Sequence, residues 1–327
     1  MSPQIVTSIT VISAPYHVGL RASPIHRSRI SEGPDYIKHQ GGLLSILRDR
    51  GLAVHEVEIG PVEGEFEGEI GRTFEIIRRV AHEVSRARDR ASFPLVLAGN
   101  CNTSVGVAAG LWGSGELRGA PEDALGCVWF DAHDDYNVPD TIVSGYFDGQ
   151  AIAIMAGESW RALLASVPGF RPLALRRLVH CGLRDVNDIE RARVQESDMG
   201  VVWGGGAAAD KADFVAGLRK ELAERFVADD PNHKTPILVH FDVDVIDSSV
   251  GKASSFACPG GLLEEDVTGC MAAISEATLP MAFTIASFDP FYDEGNSAPR
   301  LAALAIKAVE VVLDGLKERG LLQESQQ

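Results

Sequence analysis

The sequence predicts an α/β protein, a single-domain doubly wound parallel sheet with helices on both faces. Three observations predict it. Short apolar runs of strand length alternate with longer stretches of helical periodicity along the whole chain. No linker, internal repeat or low-complexity segment divides the 327 residues, a length that allows one large α/β domain. The most chemically loaded residues lie where strands end, and open α/β sheets bind ligands outside the carboxyl ends of their strands.

Taken in order, residues 5–14 mix Val, Ile and Thr and read as a first strand. A polar segment, including Tyr16-His17, leads to Pro34. Gly33-Pro34-Asp35 then opens one helix carrying Leu43, Leu44, Ile46 and Leu47, which Gly51 stops. Residues 52–59 form a second strand, and the Gly- and Glu-rich residues 60–69 a loop. Residues 72–90 place Ile76, Ile77, Val80 and Val84 on one helical face, with charges opposite. Residues 93–98 are a short buried strand that turns into the next helix through Gly99-Asn100-Cys101-Asn102-Thr103-Ser104. After the strand ending at Phe130 come a helix over 149–157, a strand over 178–182, a loop to Asn187 and a short strand at Val201 and Val202. A helix over 212–227, a strand over 237–242, a helix over 263–277 and a last strand over 281–288 follow. Residues 297–315 carry an apolar helical stripe. The polar tail from Glu318 is expected to fray, with the domain spanning 1–320 and a tail over 321–327.

Two strand ends carry the chemistry. Val128-Trp129-Phe130 runs into Asp131, His133 and Asp135, and Ile237 to Phe241 runs into Asp242 and Asp244. Alternate residues of an extended strand share a face, so each set is expected to aim at one place. An Asp-x-Asp after a strand is often a mere turn or helix cap, and a buried His is often a core residue. Two such clusters in one chain, each closing an apolar strand, instead suit divalent cations of the manganese type, with oxygen enough for two.

Composition narrows the classes. Net charge is −16, which argues against nucleic acid or an anionic membrane as partner. Five cysteines, Cys101, Cys127, Cys181, Cys258 and Cys270, are an odd number without a C-x-x-C pair, as in a reduced, cytoplasmic protein. The start lacks a signal-peptide pattern, and no apolar run approaches the roughly 20 residues of a membrane span. Neither G-x-G-x-x-G after the first strand nor G-x-x-x-x-G-K-[ST] occurs, which weakens a nucleotide-binding reading.

The segment Asp131-Ala-His-Asp-Asp135 resembles the Asp-Ala-His-x-Asp motif of the ureohydrolases, the arginase and agmatinase family, and Asp242-Val-Asp-Val-Ile-Asp247 resembles that family's Asp-x-Asp-x-x-Asp. The resemblance spans nearly the whole chain. It implies an arginase-like three-layer fold and two manganese ions sharing a hydroxide that attacks a guanidinium carbon. Carried over by position, one ion would be held by Cys101, Asp131, Asp135 and Asp242, the other by Asp131, His133, Asp242 and Asp244. Asp135 or Asp244 would orient the hydroxide. A small-molecule substrate and a trimeric or hexameric homo-oligomer are also implied.

The chain departs from the family at several positions. Cys101 stands where the family has a metal-binding His, and a thiolate moves preference toward Zn2+ or Fe2+. Ser287 stands where a Glu pairs with the substrate guanidinium. Asp148 replaces a proton-shuttling His; it is read as a base or, equally, as a cap for the following helix. Asn187 stands where arginases have an Asp near the substrate α-amino group, and Asn137 and Ser144 match positions that contact the α-carboxylate. Relatives with Cys at the first ligand position include one that cleaves Nω-hydroxy-L-arginine to hydroxyurea and ornithine. The resemblance thus leaves three readings open: a guanidino or hydroxyguanidino hydrolase, the same scaffold acting on an amide or formimino compound, and a silent family member. Nucleophilic catalysis by Cys101, with His133 as base, is a weaker fourth, because it leaves the carboxylates unexplained.

Overall fold

The computed structural model describes residues 3–17, 28–62, 68–205, 212–226 and 234–323. In chain order the elements are β1 (Ser8–Ala14), α1 (Gly33–Lys38), α2 (Leu43–Asp49), β2 (Ala53–Glu58), α3 (Glu69–Asp89), β3 (Ser92–Ala98), α4 (Thr103–Gly113), β4 (Gly126–Phe130) and α5 (Ala151–Met155). Then come α6 (Arg161–Leu164), β5 (Leu178–Leu183), α7 (Asp188–Glu196), β6 (Gly200–Trp203), α8 (Phe214–Arg225), β7 (Pro236–Asp242), α9 (Glu264–Ala277), β8 (Leu279–Ala286) and α10 (Ala298–Glu318). Much of the polar segment before Pro34, the middle of the 60–69 loop, the end of the helix read to residue 227 and the last four residues lie outside the described residues.

The eight strands form one sheet in the order β2-β1-β3-β8-β7-β4-β5-β6. Every pairing is parallel. Alternation along each strand sends side chains into two cores. Leu95, Leu97, Val128, Phe130, Val239 and Phe241 face α1, α2, α8, α9 and α10. Val96, Ala98, Cys127, Trp129 and Leu238 face α3, α4 and α5. Strands covered on both faces read as unbroken apolar runs, which is why they were easy to find in the sequence.

The chain leaves β3 on one half of the sheet and re-enters at β4 on the other, with β8 and β7 between them. The crevice at such a reversal of strand order is where this architecture binds ligands. Gly99 closes the end of β3 there. A Cβ on it would lie 2.1 Å from the carbonyl oxygen of Tyr16, so the backbones meet only because this residue has no side chain.

Three local readings change. The single helix after Pro34 is two, α1 and α2, broken where Gly42 takes φ +82°, a left-handed conformation that cannot continue a helix. The helix read from residue 72 begins at Glu69. The tail does not fray from Glu318. Val6 N–H donates to the Leu321 carbonyl at 2.8 Å, Gln323 N–H returns to Val6 at 2.9 Å, and Leu321 and Leu322 are buried, so apolar contact and a bridge to Val6, ahead of β1, dock residues that looked like a polar end. No helix among the described residues is long and apolar enough to cross a membrane.

Gly99→Ala should lower the unfolding free energy by about 1–3 kcal/mol, the cost of overpacking a tight contact. The readout is a lower denaturant midpoint at unchanged slope.

Candidate metal centre

Register builds the centre. β4 and β7 pair Trp129 with His240 and Phe130 with Phe241. The next residues, Asp131 and Asp242, therefore leave neighbouring strands side by side, about one strand spacing of 4.8 Å apart. Trp129 and His240 lie one pleat below them on the same face. Their rings stack at 3.6 Å between centroids and 20° between planes.

Beyond the strand ends, turns and not β-alternation complete the cluster. The sequence reading has Asp131, His133 and Asp135 on one extended face, but β4 ends at Phe130. Asp131 Oδ1 accepts from His133 N–H at 2.8 Å, which folds the chain back at once. Asp135 takes φ +46°. Asp242 likewise accepts from Asp244 N–H at 2.8 Å and caps a 3-10 turn that carries Asp244 inward. The extended chain would have sent the later acids away. Asp247, the last acid of its motif, anchors the next loop by accepting from Gly260 N–H at 2.6 Å and Gly261 N–H at 2.9 Å.

His133 Nδ1 lies 3.4 Å from Asp131 and 3.3 Å from Asp244, and its Nε2 lies 3.5 Å from Asp185. Cys101 Sγ lies 3.1 Å from Asp242 Oδ2 and 3.2 Å from Ser287 Oγ. Two groups of ligand atoms lie within 4.8 Å of one another: Cys101, Asp131, His240 and Asp242; and Asp131, His133 and Asp244. Asp135 belongs to neither group but lines the same cavity.

Electrostatics make this cluster costly on its own. Asp131, Asp135, Asp242 and Asp244 are all buried. Burial pushes Asp135 well above the usual carboxylate range, and Asp131, Asp148 and Asp242 push it further. Burial, then Asp244 and Asp131, do the same to Asp242. Burial would raise Asp244 too, but His133 holds it low. The Cys101 thiol is driven far up by burial and then by Asp242, which keeps it protonated and unsuited to attack as a nucleophile. His133 faces Asp131 and Asp244, so it gives Cys101 no base. Burial, then His180, hold His240 well below its ordinary value, so its imidazole is neutral with a lone pair to offer.

The residues fit a pair of divalent cations. Asp135 Oδ2 and His240 Nε2 are buried polar atoms without a hydrogen-bond partner. Crowded buried carboxylates with orphaned donor atoms cost several kcal/mol unless positive charge enters.

The remaining sequence-predicted residues fall in different places. Asp148 accepts from Asn100 Nδ2 at 2.6 Å, Cys101 N–H at 3.0 Å and Asn102 N–H at 2.8 Å, so it holds the Cys101 turn while facing the cavity. The helix cap expected of it is made at this earlier turn and not at the helix that follows it. Ser287 and Ser144 line the cavity; Ser287 does so from φ +61°, and Ser144 Oγ accepts from Tyr146 N–H at 3.2 Å. Asn137 also lines it and donates to Glu190 at 3.0 Å. Asn187 lies outside it, capping α7 by accepting from Ile189 and Glu190 N–H at 2.9 and 3.0 Å. The sequence reading passes over Asp134, Glu190, Tyr146 and His240. His240 carried a usable signal: it stands two residues before Asp242 on one strand and so shares its face. The cavity encloses about 170 Å³, room for a small molecule and not for a polymer.

Comparison with known proteins agrees with this architecture. The profile of the Arginase family matches residues 7–311. Arginase-1 of Xenopus laevis is 30% identical over 270 residues, 78% of each chain. The structure of arginase from Bacillus caldovelox superposes with a TM-score of 0.77 at 21% identity, covering 94% of this chain and 98% of that one. Proclavaminate amidino hydrolase from Streptomyces clavuligerus superposes with a TM-score of 0.65 at 21% identity, covering 96% and 93%.

Added manganese should raise the melting temperature of chelator-treated protein. At a hundredfold excess over Kd the gain is about 2.7 kcal/mol, on the order of 5 °C. Asp242→Asn should melt higher than wild type without metal, because one crowded charge is gone, and should lose the manganese-dependent rise. Differential scanning calorimetry reads both.

Proposed function

The chain belongs to the arginase family of ureohydrolases, and on that premise we propose a binuclear metal-dependent hydrolase that cleaves a linear C–N bond in a guanidino or hydroxyguanidino compound. Nω-hydroxy-L-arginine, or an arginine-like amino acid, is the candidate substrate. The observation that carries this reading is the side-by-side placement of Asp131 and Asp242, flanked by Cys101, His133, Asp135 and Asp244, at the floor of a small cavity. Bound there, two divalent ions, manganese by family habit, supply an acidified water and neutralise charge that develops on the substrate.

The protein's own groups do the rest. Asp135, whose Oδ2 has no partner, is placed to take the proton of the attacking water. Asp148, fixed by its hydrogen bonds, holds the Cys101 turn and presents a buried carboxyl to the cavity. Asp134, Asp185 and Glu190 line the wall and suit a substrate α-amino group, with Asn137 and Ser144 beside them for the carboxylate. Asn187 serves that wall indirectly: its capping box holds Glu190. Ser287 offers the reacting end a hydroxyl and no carboxylate, which favours a less basic group, such as a hydroxyguanidine, over a guanidinium. The proposal includes a homo-oligomer, trimeric or hexameric, for sedimentation to check.

Product analysis on manganese-loaded protein is the test. Urea or hydroxyurea together with an amino acid is expected, with hydroxyarginine turned over faster than arginine; faster arginine turnover removes the hydroxyguanidine preference. Ammonia or formamide from an amide or formimino compound would replace the guanidino reading. Asp135→Asn should cut kcat by roughly 10²–10⁴-fold with metal content unchanged. Ser287→Glu should move the arginine-to-hydroxyarginine ratio of kcat/KM toward arginine by about tenfold or more, the worth of one hydrogen bond to a charged group.

A further inference from the structure

The turn at residues 99–102 lacks an imidazole, yet an imidazole is present below it. His240 is fully buried on β7, and one of its ring nitrogens lies within 4.8 Å of Cys101 Sγ and of carboxylate oxygens of Asp131 and Asp242. Three contacts set its ring. Trp129 stacks on it at 3.6 Å, strand register holds it one pleat below Asp242, and Ser104 Oγ lies 2.8 Å from Nδ1. With Nδ1 donating to Ser104, the tautomer leaves a lone pair on Nε2, the nitrogen without a partner. His180, on β5 and separated from β7 by β4, also has an unpartnered nitrogen, but it belongs to neither group of ligand atoms.

We propose that His240 is a metal ligand, so that the first ion is held by Cys101, His240, Asp131 and Asp242, and that this set selects zinc over manganese at that position. The proposal rests on the binuclear reading above and refines it. One thiolate, one imidazole and two carboxylates are a donor set zinc prefers, with bonds of about 2.0–2.3 Å in a tetrahedron. Ligand atoms then stand roughly 3.5 Å apart, so the group must close by about 1 Å at its widest. The second group, Asp131, His133 and Asp244, has three protein donors without sulfur and remains suited to manganese. Asp135, outside both groups, is freed from the first ion and keeps its carboxylate for the substrate side. Binding releases the Cys101 proton, since only the thiolate ligates.

The test uses full-length protein stripped by chelator and refilled with zinc plus manganese, then with cobalt(II) as a spectroscopic probe. One zinc and one manganese per chain are expected in wild type, and cobalt should give a near-ultraviolet thiolate charge-transfer band with the visible bands of a tetrahedral ion. His240→Phe keeps a ring against Trp129. It should weaken zinc binding at that position by at least about a hundredfold and shift the cobalt bands, while manganese still binds the second group. If the variant binds both ions as wild type does with unchanged cobalt bands, the proposal fails while the binuclear reading stands. If wild type takes up no ions, both fail. Should the variant melt far below wild type when metal-free, zinc-edge X-ray absorption on wild type with one equivalent of zinc decides. Sulfur and imidazole on the same ion support the proposal, and sulfur without imidazole overturns it.

Discussion

Asp131 and Asp242 stand side by side because β4 and β7 pair residue for residue up to Phe130 and Phe241, and much of the molecule depends on that adjacency. Two buried carboxylates about one strand spacing apart repel strongly where the local dielectric is low. A sheet tolerates this only if it is stiff enough to prevent the strands from slipping and if the charge is cancelled. Stiffness comes from central strands whose side chains fill two separate cores. A slip of one residue would turn both acids into the opposite, apolar core, so the hydrophobic pattern that fixes register also fixes the site. Under the binuclear reading proposed above, cations would supply that cancellation, and Asp135 Oδ2 and His240 Nε2 lie buried there without a partner.

The loops above the strands are held mainly by hydrogen bonds to backbone. Arg184 donates to the carbonyls of Gly182 (2.9 Å), Asp244 (2.9 Å), Cys258 (3.1 Å) and Pro259 (3.0 Å), tying the end of β5 to the loop after β7. Gly182, at φ +103°, lets β5 bend past Asp131; a Cβ there would meet Val245 at 2.5 Å. Asp135 and Ser287 both sit in the left-handed region, a conformation that costs a non-glycine residue of order 1 kcal/mol or more. Such strain persists where the surroundings over-determine the backbone, and here it aims two side chains into one cavity.

The substitutions around the centre are mutually consistent. Asp148 does not disturb the Cys101 turn; it accepts three hydrogen bonds from it. Cys101 packs against both Asp242 and Ser287, and the small Ser287 leaves the thiol space that a longer acid would contest. Decay would have left such groups unpartnered, because a buried polar atom without a partner is costly. Cys101, Asp148 and Ser287 instead read as one rearranged unit whose polar atoms partner one another or the turn that carries them.

The sequence by itself determined the fold class and the order of most elements, and it singled out Cys101, Asp131, His133, Asp135, Asp242 and Asp244, which the fold gathers around one cavity. Buried parallel strands announce themselves as apolar runs, and acids that end such runs stand out against them. It misread what depends on backbone geometry between elements. Asp131, His133 and Asp135 looked like one strand face, but an Asx turn and a left-handed residue bring them together, and neither leaves a mark in side-chain periodicity. Asn187 looked like a wall residue because it is polar and near the motif; the structure makes it a helix cap, with Glu190, one turn on, at the wall. Leu321 and Leu322 looked like part of a tail because their partner, Val6, is at the other end of the chain. His240 looked like one more residue of a strand, and only the pairing of β7 with β4 sets it beside Trp129 and beneath the acids. What decides these cases is a contact between residues far apart in sequence, a dihedral angle that residue type does not dictate, or a short turn or cap that hydrophobic periodicity does not register.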